Sequence, residues 1–186
     1  LTWVAGALVV LALAGVELRH RAAAPGAGAA DAPLWIWRSH DLRHVQAAGF
    51  YAVKELNLVE VPAVAEARIL GDAEFLLWLN GSRIGSNRYA SGATLDRYRV
   101  EPWLVPGRNR LVVELRSPSG AGGLSFELLA DGQQLVRSDG SWTIYESHWR
   151  GLFGDRPMVP GERPRLLGRS PLGRWGSPAP GPLRPV

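Results

Sequence analysis

Ala65-Glu-Ala-Arg-Ile-Leu-Gly-Asp-Ala-Glu-Phe-Leu-Leu-Trp-Leu-Asn-Gly-Ser-Arg-Ile-Gly85 decides the fold. Two apolar runs, Ala67–Leu70 and Phe75–Leu79, are short enough to be strands and too short to be independent helices. The second ends in Asn80-Gly81, the dipeptide suited to a two-residue hairpin turn, whose central residues both need positive φ. Arg83-Ile84-Gly85 then opens the return strand. The pattern points to a β-sandwich module rather than an enzyme.

Working outward, further strands are predicted at Phe50–Val61, Leu95–Val100, Arg110–Arg116, Leu124–Ala130, Gln134–Arg137 and Trp142–Tyr145. Pro106-Gly107, Ser117-Pro118-Ser119-Gly120 and Asp131-Gly132 supply turns between them. Short strands at this spacing predict an antiparallel sandwich, with Leu76, Trp78, Leu111, Val113 and Leu115 among the core candidates. Ser39–Ala48 is the one stretch that suits a helical turn or two.

The same residues carry a resemblance. Ala65-x-Ala-Arg-Ile69, Asp72-x-Glu-Phe75 and Leu79-Asn-Gly-x-Arg-Ile-Gly85 look like the galactose-binding-like jelly-roll module found beside α-L-rhamnosidase and β-galactosidase catalytic domains. Leu34-Trp-Ile-Trp37 is similar to its opening and Phe50–Val61 to its long strand. Tyr98–Leu115, containing Leu104-Val-Pro-Gly-Arg-Asn109, and Ser138–Trp142 resemble its later elements. The resemblance implies a jelly roll over about 110 residues, Leu34 to Tyr145. It implies no catalytic residue, because such modules bind sugars in some proteins and only pack against neighbours in others.

Composition sets the limits. The chain has 186 residues and no cysteine, which excludes disulfides and thiolate metal sites. Its net charge of +4 is unevenly spread: residues 149–186 hold seven Arg against two acids, an excess of 5, leaving −1 for the rest. Nucleic-acid binding would need basic residues on the folded module, so it is discounted.

Three regions flank or make up the module. Residues 1–18 are predicted to be a transmembrane anchor. Leu1–Val16 is uncharged and as a helix would span ~24 Å, a little short of the ~30 Å hydrocarbon core. The run also suits the apolar part of a signal peptide. The chain begins with Leu, so the anchor is expected to lack a few residues at its start. Residues 19–33 read as a linker, 34–146 as the sandwich and 147–186 as an irregular tail rich in Pro, Gly and Arg. Trp149–Val186 holds eight Pro and seven Gly in 38 residues, a composition unable to build its own core. Its scattered anchors, namely Trp149, Phe153, Leu166, Leu167, Arg169, Arg174 and Trp175, suit a chain laid across protein partners.

Candidate chemistry is sparse. His40-Asp-Leu-Arg-His44 has the i, i+4 spacing of the zinc-protease pattern, but the acid is the shorter Asp and no third ligand is evident. Asp72 and Glu74 are close in sequence yet stand where strands begin. Ser119–Gly123 has the glycines of a phosphate loop without its Lys-Ser/Thr, and reads as a hairpin loop. No catalytic residue, metal or cofactor is expected.

The sequence therefore predicts a non-catalytic, membrane-anchored accessory or scaffolding subunit of a larger bacterial membrane complex. The bilayer would hold residues 1–18, and the sandwich would sit in the periplasm at the inner membrane. The alternative is a surface-tethered carbohydrate-binding module. Asn87, Arg88 and Tyr89 in the loop after the hairpin, with Trp103 in another, would supply its aromatic platform and donors.

Overall fold

The computed structural model describes residues 31–39, 46–146 and 160–186. The predicted anchor, His40–His44 and the tail aromatics Trp149 and Phe153 lie outside the described residues. Among the described residues no helix is long and apolar enough to cross a membrane.

Among the described residues, twelve strands form two sheets. The first contains β1 (Leu34–Trp37), β3 (Ala65–Asp72), β6 (Leu95–Arg99), β8 (Gly123–Ala130), β9 (Gln133–Arg137), β11 (Arg165–Arg169) and β12 (Pro180–Arg184). Its order is β11-β1-β8-β3-β6-β12, with β9 also on β8. The second sheet is β10-β2-β7-β4-β5: β10 (Thr143–Tyr145), β2 (Ala48–Leu58), β7 (Gly107–Ser117), β4 (Glu74–Leu79) and β5 (Ser82–Arg88). All pairings are antiparallel except that of β12 with β6.

The hairpin forms as its sequence requires. Asn80 and Gly81 take φ of 50° and 84°, and Leu79 pairs with Ser82. Gly85 then has a packing role. A Cβ there would lie 2.3 Å from the ring of Tyr98, so only glycine lets β5 pass over that buried ring.

Burial alternates along β4 with the phase opposite to part of the prediction. Phe75, Leu77 and Leu79 are buried and face Leu115, Val113 and Leu111 across the ladder. Leu76 and Trp78 lie on the outer face, where Trp78 packs with Val53 and Val112 in a small second cluster. Glu-Phe-Leu-Leu-Trp-Leu is apolar in both phases, so periodicity alone could not choose between them. Leu111, Val113 and Leu115 are core residues, as expected.

Two further expectations are corrected. Residues 119–123 do not close a hairpin, because β7 and β8 belong to different sheets and the loop crosses between them. The described part of the tail is not irregular either. β11 pairs with β1 and β12 with β6, so the tail supplies both ends of the first sheet's strand order.

An ion-pair line crosses the outer face of that sheet. Arg97 donates to Glu66 at 2.6 and 2.9 Å, Arg68 to Glu66 at 2.6 Å and to Glu127 at 3.0 Å. The hydrogen bonds from Arg97, reinforced by Arg68, outweigh burial and pull the Glu66 carboxyl from 4.5 down to about 2. A depressed folded pKa gives stability that is present above the unfolded value and lost as pH falls through the folded one. The melting temperature should therefore drop more steeply between pH 4.5 and 2 in the wild type than in Glu66→Gln. Equal slopes in pH-dependent thermal melts would show that the line contributes nothing.

Candidate functional site

One end of the sandwich gathers most of the chemistry. There β3 ends at Asp72, β4 begins at Glu74, β5 runs out at Arg88, and the glycine loop enters β8. The tail reaches the same place through a single 3-10 turn, Gly173–Trp175.

Asp72 organises the junction. Its side chain is only 3% exposed and accepts from Trp175 Nε1 at 2.7 Å and from Arg174 Nη2. Trp175 stacks on Trp35 with ring centres 4.4 Å apart and planes 14° from parallel. Trp35 in turn donates to Ser170 Oγ at 3.0 Å. Gly122 and Gly123 make room for this packing: a Cβ on Gly122 would sit 2.0 Å from the Asp72 carbonyl oxygen, and one on Gly123 2.7 Å from Trp175. Asp72 and Glu74, weighed above as an acid pair, thus have separate arginine partners, Arg174 and Arg88.

The second buried carboxylate, Asp96, also holds the tail. It accepts from Arg184 Nε and from Asn87 Nδ2, the latter at 2.7 Å. Each buried acid of the sandwich is therefore matched by one tail arginine, as burial of a charge demands. Tail residues expected to engage partners serve the chain itself instead: Trp175 and Arg174 close the junction, and Leu167 packs on the core. Arg169 pairs opposite Leu34 in the β1–β11 ladder, while Leu166 is 50% exposed.

Two clefts open at this end. One, of about 540 Å³, is lined by Ala48, Gly49, Ala73, Glu74, Arg88 and Arg116, among others. The other, of about 370 Å³, has a mostly apolar wall of Trp37, Leu167, Leu172 and Trp175, with Arg165 and Arg174 also lining it. Both volumes fall in the range of small-molecule sites. Tyr89 stands between them. Its backbone N–H donates to Ala73 of the larger cleft, and its hydroxyl to the Arg174 carbonyl of the smaller, at 3.1 Å. The Arg174 guanidinium lies 5.9 Å from the Tyr89 ring centre and 5.8 Å from that of Trp175, within reach of cation–π attraction.

The four predicted sugar contacts do not converge. Arg88, whose side chain is 82% exposed, and Tyr89 belong to this end. Asn87 is engaged with Asp96. Trp103 lies at the opposite end of β4, where its carbonyl accepts from Asn80. Sequence reasoning missed Trp37, Arg165 and Leu172 as cleft residues. Among the described residues no cluster of His, Cys, Asp and Glu suits a metal ion.

No family model matches the sequence, and no curated protein matches it. Solved structures do match the fold. An α-L-rhamnosidase of Streptomyces avermitilis, in complex with L-rhamnose, is 19% identical with a TM-score of 0.70, over 80% of this chain and 16% of its own. The α-L-rhamnosidase of Bacillus sp. GL1 is 18% identical with a TM-score of 0.65, over 80% of this chain and 19% of its own. A Pleurotus ostreatus lectin in complex with GalNAc is 21% identical with a TM-score of 0.65, over 82% of this chain and 46% of its own. The chain thus spans less than half the length of each. The fold is the galactose-binding-like β-sandwich that the sequence motifs resemble.

Proposed function

We propose that the protein is a non-catalytic carbohydrate-binding module whose site is the end of the sandwich around Tyr89. The observation that carries this reading is the pair of clefts flanking Tyr89, one apolar and aromatic, the other lined by Glu74, Arg88 and Arg116. A sugar has apolar C–H faces and a rim of hydroxyls, and these two linings complement both. Support comes also from the fold, shared with a GalNAc-bound lectin and an L-rhamnose-bound rhamnosidase. The apolar run at residues 1–16 would tether the module to a membrane, with the sandwich outside the cytoplasm. The scaffolding role in a membrane complex gains no comparable support, since Trp175, its expected anchor in partners, stacks on the chain's own Trp35.

Calorimetry of the full chain against neutral and acidic oligosaccharides should reveal saturable binding at micromolar to low millimolar Kd. Tyr89→Ala should weaken it about tenfold or more, equivalent to about 1.4 kcal/mol, while circular dichroism stays unchanged. Trp103→Ala, at the other end, should leave affinity intact. Absence of binding across the panel would refute the proposal.

A further inference from the structure

The smaller cleft has an uneven charge lining. Among the described residues its lining contains two charged side chains, Arg165 and Arg174, and no acid. Arg174 is already matched by Asp72, which lies behind it. Arg165 has no carboxylate or carbonyl partner among the described residues, and its side chain is exposed at the cleft. Its backbone is nonetheless fixed, because Arg165 pairs opposite Trp37 in the β1–β11 ladder. The neighbouring Leu167, two residues along the same strand and in the same lining, packs on the core.

This combination is specific in chemical terms. An apolar wall with one strand-mounted guanidinium that has no carboxylate partner among the described residues complements a ligand that has an apolar face and a single anionic group. A guanidinium presents its N–H donors as a planar fork that fits the two oxygens of a carboxylate, and such charge-assisted bonds are roughly twice as strong as neutral ones. A neutral sugar in the same place would leave the Arg165 charge without a counter-ion as its water is displaced.

We infer that the module's ligand is an acidic saccharide, a glycan containing uronic acid, whose carboxylate is received by Arg165 in the cleft walled by Trp37, Leu172 and Trp175. The inference rests on the carbohydrate reading above and narrows its ligand class. Because Arg165 is exposed, its contribution is screened by salt.

The test uses the full chain in low-salt buffer with trigalacturonate and trimannuronate, each compared with its fully methyl-esterified form. Esterification removes the charge and keeps the backbone. At least one acid should bind about tenfold more tightly than its ester, with the preference shrinking as salt is raised. Arg165→Gln should abolish the preference by weakening binding of the acid. Arg163→Gln, an exposed arginine two residues away that does not line the cleft, should preserve it. Equal affinity for acid and ester, or a preference that survives Arg165→Gln, overturns the inference. If neutral oligosaccharides bind and neither uronate does, the inference falls and the carbohydrate reading stands. If nothing binds, both fall.

Discussion

A chain truncated after Glu146 should lose its cooperative thermal transition, although the tail's Pro/Gly content suggests a dispensable appendage. Truncation removes β11 and β12 and uncovers Trp35, which is fully buried in the intact chain. It also strips Asp72 and Asp96 of their arginines. Domains are stable by only about 5–15 kcal/mol, and losses of this kind cost several kcal/mol together. A point variant separates the stack from the rest. Trp175→Ala should destabilise the full chain by about 3 kcal/mol, since Trp175 is partly buried and large aromatic truncations in cores cost about 3–5 kcal/mol. For a chain of this size that lowers the melting temperature by roughly 6–12 °C. A truncated protein that melts sharply within a few degrees of the full chain would show that the tail is not part of the folded unit.

The second large effect is expected at Asn109. This side chain is fully buried and makes four hydrogen bonds. Its Oδ1 accepts from Val105 N–H at 2.9 Å and Asn80 Nδ2 at 2.8 Å, and its Nδ2 donates to the carbonyls of Val105 at 2.7 Å and Gly107 at 3.0 Å. Asn80 also receives the Arg110 N–H, so Asn109 ties the Pro106-Gly107 loop to the Asn80-Gly81 hairpin. Asn109→Ala removes all four bonds and leaves their partners unsatisfied. With about 1 kcal/mol per bond and a desolvation penalty for orphaned groups, the cost should reach about 3–5 kcal/mol. Urea denaturation should show the midpoint falling with an unchanged m-value. A loss below 1 kcal/mol would mean that water replaces the amide without strain.

These two sites mark what the sequence could and could not disclose. Asn80-Gly81 and Pro106-Gly107 are legible because turn chemistry is local: a positive φ at glycine needs no distant partner. The phase of β4 was not, because Trp78 and Leu76 are as apolar as the core residues between them. The tail strands were hidden for another reason. Pro180-Gly-Pro-Leu-Arg184 has almost no strand propensity, yet it pairs at a sheet edge, where a missing N–H is tolerated. At the site, Arg88 and Tyr89 could be placed because they follow a recognisable hairpin. Trp37, Gly122 and the tail residues Arg165 and Leu172 come from three separate segments, and only the tertiary fold brings them to one cleft.

The pairing of Trp35 with Ser170 has a consequence for biosynthesis. The two residues are 135 positions apart. At translation rates of about 5–20 residues per second, the ribosome needs roughly 7–27 s to deliver the partner. During that interval an indole destined for complete burial and two carboxylates awaiting their arginines are held on a nascent chain that cannot yet close. Closure of that surface therefore waits until Ser170 and the tail strands beside it have been made.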